Sequence, residues 1–456
     1  MVTTINQAQE YLETYIRPSV FERAPEDSHL KDPLDRMRAL LKILGNPEKK
    51  FKSVQVSGTS GKGSTAYLLA NILGKAGYKT GFASSPHLQR INERMQIDMR
   101  KISNENLVIL VNELIPAIEA LKKLPEGEPS YFELLTALSF MHFAKEEVDI
   151  AVIEVGLEGK YDATNVLDPL VVILTNISKD HTDMLGSTEL EIAQEAFSIV
   201  RKNDGGKIPA IITGVAQEEL LEILRGRANS LNTQIKKLGR DFSYTVHELL
   251  NNGVRFNYIE GEIQYEDLEV RLRGEYQAAN SSLAIATSRF LCKLGFSISE
   301  QHIREGLSSA FFPGRFEVIR SGKQIIILDG AHNEAKMKAF LHALYEYYPD
   351  EEKVLIVGFK RNKDTETMIR ELFELLNTEF IFTEFNKTGD YARSNSMNLA
   401  ELRSHVEKID SKKKIKYVES VSEAFVLAQE SGKELIVITG SLYLIGEIRE
   451  YLFPTE

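Results

Sequence analysis

The chain has 456 residues, 43% of them hydrophobic and 27% charged, and its formal net charge is −11 at pH 7. This length predicts two or three domains with a core each, and the composition is typical of an ordinary soluble globular protein. The acidic balance argues against a nucleic-acid partner.

Cysteine content and the N-terminal segment bear on where the protein works. Cys292 is the single cysteine, which excludes an internal disulfide framework and favours a reducing cytosol. Residues 1–18 include acidic side chains and lack the apolar stretch of a signal peptide. No run approaches the roughly 18 consecutive apolar residues of a membrane span. We therefore expect a cytoplasmic protein with no membrane partner.

The first part of the chain alternates helices with short apolar strands. Residues 1–50 indicate helix, with apolar residues at helical spacing between positions 34 and 44. Alternation over 253–273 predicts short antiparallel strands. The continuous apolar runs at 149–155 and 170–175 predict strands buried on both faces, as in a parallel sheet. Other strands are predicted at 53–57, 79–84 and 208–213, and helices at 65–76, 104–122, 130–146, 187–201, after 213, at 275–295 and at 299–310.

A change of pattern near F-F-P-G-R, residues 311–315, predicts a domain boundary between residues 312 and 313. After it, strand and helix repeat regularly. We therefore predict an α/β protein: a P-loop-type, mostly parallel sheet domain over 1–312, followed by a smaller doubly wound, Rossmann-like domain over 313–456. The strands predicted in the second domain are 325–329, 353–359, 379–385, 414–419 and 434–440.

The most informative segment is V-Q-V-S-G-T-S-G-K-G-S-T at residues 54–65, where a strand leads through a glycine-rich turn into an apolar helix. Gly58, Gly61 and Gly63 allow backbone N–H groups to face an anion. Lys62 adds a positive charge, and the helix N-terminus adds its dipole. The spacing is tighter than the usual G-x4-G-K-[ST] loop, because a valine takes the place of the first glycine. The segment favours a nucleotide site over an ordinary turn.

Polar residues follow other predicted strands, at the ends where α/β sheets bind ligands. Glu154 ends an apolar run, and such a carboxylate needs either a structural ion pair or a bound cation. His181 is either a hydrogen-bonded loop residue or a metal ligand. The hydroxyls of Ser84 and Ser85 suit either Mg²⁺ or a turn. The D-G-A-H-N run at 329–333 suits either a ligand site or a helix cap.

Several blocks, in order from about residue 30 to the end, resemble the folylpolyglutamate synthase / dihydrofolate synthase family of the Mur ligase superfamily. The blocks are G-T-S-G-K-G-S (58–64), S-S-P-H-L (84–88), N-E-R-M-Q-I (92–97), Y-F-E-L-L-T-A-L (131–138), E-V-G-L-E-G-K-Y-D-A-T-N (154–165), T-N-I-S-K-D-H-T-D (175–183), G-E-Y-Q-A-A-N (274–280), P-G-R (313–315), L-D-G-A-H-N (328–333), K-D (363–364) and T-G-S-L-Y-L (439–444). The resemblance implies an ATP- and Mg²⁺-dependent ligase, a monomer, that adds L-glutamate to a folate or dihydropteroate carboxylate.

The resemblance also implies a role for individual residues. The phosphate loop would bind ATP through Gly58, Thr59, Ser60, Gly61, Lys62, Gly63 and Ser64. Mg²⁺ would be held by Ser85, Glu154 and His181, and Asn280 would face the adenine. Arg315 and Asp329 would engage the γ-phosphate and ribose, and the catalytic set would be Lys62, His181, Arg315 and Asp329. The substrate-binding residues would be Pro86, His87, Tyr131 and Phe132, together with His332 and Asn333 on the glutamate side.

One position departs from the family. There a helix reads x-E-K-A-G-I, and the lysine is carbamylated and helps to hold a second Mg²⁺; here the segment is Q-E-A-F-S-I, with Ala196 at that place. Either one metal suffices, or a carboxylate such as Glu195 or Glu191 substitutes, or the activity has changed. Smaller departures are Ser60 for the usual asparagine and Tyr276 for the usual histidine.

Three functions are therefore weighed. The first is the folate–glutamate ligase, with the choice between dihydropteroate and folates left open. The second is an amide ligase of the same superfamily for another carboxylate and amino acid, which the alanine at 196 motivates. The third is a nucleotide-binding protein without ligase activity, against which Glu154, His181, Arg315 and Asp329 argue.

Overall fold

The structure is a computed structural model that describes residues 1–16, 34–157, 159–180, 185–202, 206–361, 363–386, 396–410 and 412–454. Residues 17–33 of the region 1–50 that was predicted to be helical, and the predicted metal ligand His181, lie outside these residues. Within them, no helix is long and apolar enough to cross a membrane.

A sheet of eight strands forms the centre of the first part of the chain. Its strands are β1 (Lys52–Ser57), β2 (Thr80–Ala83), β3 (Met95–Ile97), β4 (Arg100–Lys101), β5 (Ile150–Glu154), β6 (Val171–Leu174), β7 (Ala210–Thr213) and β8 (Ile235–Lys237). The spatial order is β4-β3-β2-β5-β1-β6-β7-β8. The six adjacent strands β2, β5, β1, β6, β7 and β8 are parallel to one another. Every residue of β5 and β6 is buried, so the expected parallel, doubly covered sheet is confirmed.

Helices cover both faces of this sheet. They are α1 (Ile5–Glu13), α2 (Asp35–Ile43), α3 (Lys62–Lys75), α4 (Asn104–Leu121), α5 (Tyr131–Lys145), α6 (Glu189–Phe197), α7 (Glu218–Leu231), α8 (Tyr276–Lys293) and α9 (Glu300–Ser308). Helices α3 and α8 pack on one face through a single apolar core, whereas α1, α2, α4 and α5 pack on the other face. Helix α6 is shorter than predicted, because it ends at Phe197 and Ser198 caps it.

A three-stranded antiparallel sheet packs against α8 and continues the same core. Its strands are β9 (Ser243–Leu250), β10 (Gly253–Glu260) and β11 (Ile263–Val270). The two strands predicted within 253–273 are confirmed. The sequence pattern missed β9, because none of its eight residues is fully buried and it therefore lacks a clear apolar face.

The last part of the chain forms a six-stranded sheet in the order β12-β13-β17-β14-β15-β16. Its strands are β12 (Glu317–Ser321), β13 (Gln324–Leu328), β14 (Lys353–Val357), β15 (Thr378–Thr383), β16 (Ile415–Val418) and β17 (Leu435–Thr439). Helices α10 (Glu334–Tyr347), α11 (Thr365–Phe373), α12 (Leu399–Asp410), α13 (Val421–Gln429) and α14 (Leu442–Leu452) cover its two faces. The predicted doubly wound arrangement is confirmed.

This sheet contains one strand more than the five predicted. The additional strand, β12, pairs antiparallel with β13 at the edge of the sheet. Only one of its five residues is buried, so it lacks the apolar run by which the other strands were recognised. The domain boundary placed between residues 312 and 313 stays a prediction.

The register of the first sheet aligns the segments that carry polar residues. Val56 of β1 lies beside Glu154 of β5, and Ser57 lies beside Leu174 of β6. Because these neighbouring strands are parallel and end at the same level, the glycine-rich turn, Glu154 and the segment 175–180 emerge at one edge.

Candidate active site

The glycine-rich turn at residues 58–61 is held tightly between β6 and α8. Gly58 has φ +119° and Gly61 has φ +81°, in the region that favours glycine. A Cβ atom on Gly58 would lie 2.3 Å from the Thr175 hydroxyl oxygen, and one on Gly61 would lie 2.3 Å from the side-chain oxygen of Asn280. The turn therefore has both a conformation and surroundings that only glycine fits.

Alanine in place of Gly61 should weaken nucleotide binding. Gly77 is a matched control, because it has φ +86° but open space where a Cβ would lie. Both substitutions carry the left-handed penalty of about 1 kcal/mol, but only Gly61→Ala forces Asn280 and the turn apart. We expect the affinity for AMPPCP, measured by calorimetry, to fall roughly tenfold or more in Gly61→Ala. Equal affinities in the two variants would contradict this reading of the turn.

The turn and the segments beside it combine a lysine with buried hydroxyl groups that make no hydrogen bond to the described residues. Lys62 begins α3, and its ammonium donates a hydrogen bond to the carbonyl oxygen of Gly58 at 2.5 Å. The hydroxyl oxygens of Ser57, Ser60 and Ser178 are buried and have no hydrogen-bond partner among the described residues. Buried polar groups without partners are uncommon, so their concentration beside a helix N-terminus suits a polar ligand such as a phosphate chain.

Other predicted loop residues are fixed by the protein itself. Thr59 is buried, and its hydroxyl bonds with the backbone of Ser178. The backbone N–H of Ser60 donates to the side chain of Asn176 at 2.9 Å, and Ser64 is buried in the first turn of α3. These contacts hold the turn in place from the β6 side.

The first turns of α8 face the same loop. Asn280 is buried beside Gly61, and its side-chain N–H donates to the Gln277 side-chain oxygen at 2.9 Å. The amide nitrogen of Gln277 is buried and has no hydrogen-bond partner in the described part of the chain. Burial, and to a lesser degree the nearby charge of Asp329, raises the pKa of Tyr276 well above its usual value. Side chains of this helix thus reach both the loop and the last part of the chain.

Glu154 lies against the loop, at the end of β5. Its carboxylate accepts a hydrogen bond from the backbone N–H of Ser85 at 3.2 Å. A Cβ on Gly63 would lie 3.2 Å from both carboxylate oxygens, so glycine there lets the carboxylate approach the helix start. Burial raises the pKa of Glu154, although the positive charges of Lys62 and Arg315 oppose the rise. A buried carboxylate that its neighbours do not fully compensate, with a serine beside it, fits a divalent cation.

A small cavity of about 20 Å³ adjoins Glu154 and opens to solvent. Its lining includes Ser85, Arg94, Phe132, Phe140, Thr136 and Glu154. The cavity thus joins the loop edge to α5.

The other substrate-side residues on this face differ in their placement. Tyr131 is buried in the apolar core beneath α5, so of the two predicted aromatic residues only Phe132 lines the cavity. Pro86 and His87 follow Ser85, and the Nδ1 atom of His87 accepts a hydrogen bond from Arg94 at 2.8 Å.

Arg315 and Asp329 lie together where the last part of the chain begins. The two carboxylate oxygens of Asp329 accept backbone N–H bonds from Phe316 and Ala331, at 2.8 and 2.9 Å. Burial raises the pKa of Asp329 to about 6, against the opposing charge of Arg315. The Arg315 guanidinium lies over the ring of Phe312, 5.5 Å from its centre. Asp329 therefore fixes the backbone directly after this arginine and the turn that follows β13.

A second polar cluster joins the two parts of the chain. Asp180 is buried, and its carboxylate accepts hydrogen bonds from Asn333 at 2.8 Å, from Lys336 at 3.3 Å and from Lys363. Sequence reasoning did not assign a role to Asp180, Lys336 or Lys363. Asp180 and Lys363 lie inside recognised blocks, but no signal beyond a lysine in the first turn of a helix marked Lys336. His332 completes the cluster, with its Nε2 atom 3.0 Å from the Lys336 ammonium.

The position of the missing lysine lies in an apolar environment. Ala196 is fully buried in the core formed by α6, α7 and the outer face of β6. Glu191 caps α6, because its carboxylate accepts hydrogen bonds from Ser187 and Thr188. One oxygen of Glu195 is buried beside Gly159 without a hydrogen-bond partner among the described residues. Of the two predicted substitutes, Glu191 is engaged in capping α6 through one carboxylate oxygen, whereas Glu195 has a buried carboxylate oxygen that makes no hydrogen bond to the described residues.

A glycine-rich loop at a helix start, a buried carboxylate at the adjacent strand end and cations contributed by a second α/β unit are the features of an ATP-dependent ligase of the Mur type. The Mur ligase middle domain family matches residues 56–288, and the dihydrofolate synthetase C-terminal domain family matches residues 315–451. The chain belongs to the family of dihydrofolate synthases and folylpolyglutamate synthases, which are ATP-dependent ligases.

Individual relatives support the family assignment over nearly the whole chain. The dihydrofolate synthase/folylpolyglutamate synthase of Bacillus subtilis is 33% identical over 93% of this chain and 95% of its own length. The folylpolyglutamate synthase (FPGS) of Mycobacterium tuberculosis, solved in complex with ADP, has a TM-score of 0.88 and 26% identity, covering 99% of this chain and 98% of that one. A complex of FPGS with AMPPCP and folate has a TM-score of 0.79 and 28% identity, covering 99% and 100%.

Proposed function

We propose that this protein joins the amino group of L-glutamate to a carboxylate of a folate or of dihydropteroate, by way of an acyl phosphate formed from ATP. The observation that carries the proposal is the meeting of three groups at one sheet edge. These are the glycine-rich loop with Lys62, the buried Glu154, and the Arg315 and Lys336 cations whose charges reach Glu154 from the last part of the chain. Such a site suits the transfer of a phosphoryl group between two anions.

The proposed chemistry starts from an obstacle. A carboxylate does not react with an amine at neutral pH, because oxide is a poor leaving group. Phosphorylation of the carboxylate by ATP provides phosphate as the leaving group, and the glutamate amine then displaces it, leaving an amide, ADP and phosphate. The protein has to bring anions together, exclude water from the acyl phosphate and align the amine.

Individual residues take the following proposed roles. Lys62 and the N–H groups of the loop bind the β- and γ-phosphates, and Arg315 neutralises charge on the transferred phosphoryl group. Glu154 and Ser85, with His181, would hold Mg²⁺, which supplies further charge neutralisation when bound. Asn280 faces the adenine, and Asp329 positions Arg315 through the backbone beside it while facing the ribose.

The acceptor is proposed to enter on the Phe132 side. The cavity beside Glu154 combines aromatic and aliphatic walls with the hydroxyls of Ser85 and Thr136 and with the Arg94 side chain. This mixture suits a conjugated ring system that has polar edges. His332 and Asn333 lie on the opposite side, in the last part of the chain, where glutamate is proposed to bind. We further propose a monomer whose domains, residues 1–312 and 313–456, close on the substrates.

Product analysis tests the function. The purified protein is incubated with ATP, Mg²⁺, L-glutamate and either dihydropteroate or tetrahydrofolate, and the products are examined by mass spectrometry. A gain of one glutamyl residue, with ADP formation that requires both the folate and glutamate, is the expected result. The acceptor that gains glutamate shows whether the protein acts on dihydropteroate or on a folate. Absence of product from both acceptors, with ATP binding intact, would refute the proposal.

Ala196 favours one alternative, a ligase of the same superfamily that uses another carboxylate and amino acid. The Ala196→Lys variant distinguishes a lost metal ligand from a changed substrate. If Ala196 marks a lost metal ligand, the variant gains activity with folates. If the substrate has changed, folate activity stays low in both proteins, and the new substrates are found by screening amino acids and acceptors.

A further inference from the structure

The N-terminal end of α10 concentrates groups that bind anions. Asn333 caps the helix by accepting the backbone N–H of Lys336 at 2.8 Å, and its own amide donates to Asp180. The positive end of the helix dipole points the same way. The ammonium groups of Lys336 and Lys363 join it, and both side chains are largely buried, with 22% and 9% exposed. The anion at this position in the structure is the carboxylate of Asp180.

A lysine in the first turn of a helix opposes the helix dipole, where acidic residues are preferred. At Lys336 this unfavourable placement is combined with burial among other cations. The pKa of Lys336 is lowered to about 8, by burial first and also by the charges of Lys62, Lys363 and Arg315, while Asp180 alone among the named charges raises it. Residues that break a local rule in this way are typical of functional sites.

The hydrogen bonds of Lys336 leave one donor unused. The Nδ1 atom of His332 lies 2.6 Å from the carbonyl oxygen of Gly330, so Nδ1 carries the proton and Nε2 accepts from Lys336. Burial also lowers the pKa of His332 well below its usual value, which agrees with a neutral ring. Lys336 thus donates to Asp180 and His332, and its third N–H has no partner among the described residues.

We infer that Lys336 binds a carboxylate of the incoming amino acid and so selects an acidic amino acid. This inference rests on the proposed function and specifies its amino-acid side. An amino acid with two carboxylates must bring its amine close to a phosphorylated carboxylate. In the proposed roles, Lys62 and Arg315 are already engaged by phosphate. Within the described part of the cluster Lys336 has a donor that no residue uses, and the charge of Lys363 and the helix dipole reinforce it.

Steady-state kinetics of Lys336→Met, Lys336→Arg and Lys338→Met test the inference. Lys338 is a matched control, because it lies two residues along the same helix, is 52% exposed and pairs with Glu334 and Glu371 on the outer face. We expect Lys336→Met to raise KM for L-glutamate about 10- to 100-fold while KM for ATP stays unchanged, as suits the loss of a hydrogen bond to a charged group. Lys336→Arg should retain most of the affinity, and Lys338→Met should behave as the wild type.

L-Glutamine as an alternative substrate identifies the carboxylate. If Lys336 binds the side-chain carboxylate, Lys336→Met loses the preference for glutamate over glutamine; if it binds the α-carboxylate, KM rises equally for both. Either result supports the inference. Unchanged KM for glutamate, or equal rises in KM for ATP and glutamate, would overturn it and leave Lys336 as a structural bridge to Asp180.

Direct binding separates this inference from the proposed function. Equilibrium dialysis with labelled L-glutamate, on protein loaded with AMPPCP and tetrahydrofolate, requires no turnover. Glutamate binding that depends on Lys336 in a protein that forms no folate product would support the site and refute the folate reaction. Equal glutamate binding by the wild type and a folded Lys336→Met would refute the site even if the reaction proceeds. If Lys336→Met does not fold, Lys336→Gln takes its place.

Discussion

Replacing Lys62 by alanine should lower kcat/KM for ATP by about three orders of magnitude, as expected when a cation that stabilises a transferred phosphoryl group is lost. In the structure the ammonium donates a hydrogen bond to the carbonyl oxygen of Gly58, inside the loop. A single hydrogen bond of this kind contributes about 1 kcal/mol to stability. The fold should therefore persist, and the melting temperature should change little while turnover collapses.

Lys75→Ala is the control for this experiment, because Lys75 is the exposed last residue of the same helix, α3. Rates are measured by ADP formation with saturating folate and glutamate, and folding is checked by circular dichroism. A Lys62→Ala protein that retains turnover close to that of Lys75→Ala would show that the loop lysine does not act on the phosphates. A collapse of turnover in both variants would point to damage in α3 instead.

The sequence was sufficient to predict the sheet edge at which the site forms, because that edge follows from strand order and strand ends. Glu154 ends β5, whose apolar run is recognised from its residues alone, and Gly58 follows β1, which is marked by two valines and the glycine-rich turn after it. The edge strand β12 and the exposed strand β9 were missed, because pairing at the border of a sheet requires little burial and leaves little pattern.

The cluster around Asp180 depends on contacts that sequence spacing does not encode. Asp180 and Lys336 are 156 residues apart, and they meet because the segments that follow two different sheets pack together. Lys336 occupies an ordinary helical position in the sequence, and its unusual burial is a property of that packing. The placement of Phe132 and Tyr131 shows the same limit at short range: the sequence predicted the same role for these neighbouring aromatic residues on α5, yet one lines a cavity and the other lies in the core.

Replacing Glu154 by glutamine should abolish most activity and yet leave the protein without substrates at least as stable as the wild type. Turnover should fall about 100- to 1,000-fold, because the carboxylate proposed to hold Mg²⁺ beside the phosphates is lost. The stability result follows from the raised pKa of Glu154, since burial outweighs the attraction of Lys62 and Arg315. A carboxyl group whose folded pKa is raised binds its proton more tightly in the folded state, so its ionisation destabilises the fold as pH rises above the unfolded value of about 4.3. Glutamine keeps the shape and removes that penalty, so the melting temperature of the variant relative to the wild type should increase between pH 4 and pH 8.

Glu119→Gln, at an exposed ion pair with Lys122, is the control and should show neither effect. Stabilisation by Mg²⁺ with AMPPCP should be smaller in Glu154→Gln than in the wild type, and a variant that is destabilised at pH 8, or that keeps full Mg²⁺-dependent stabilisation, would mean that the carboxylate serves the fold rather than the metal.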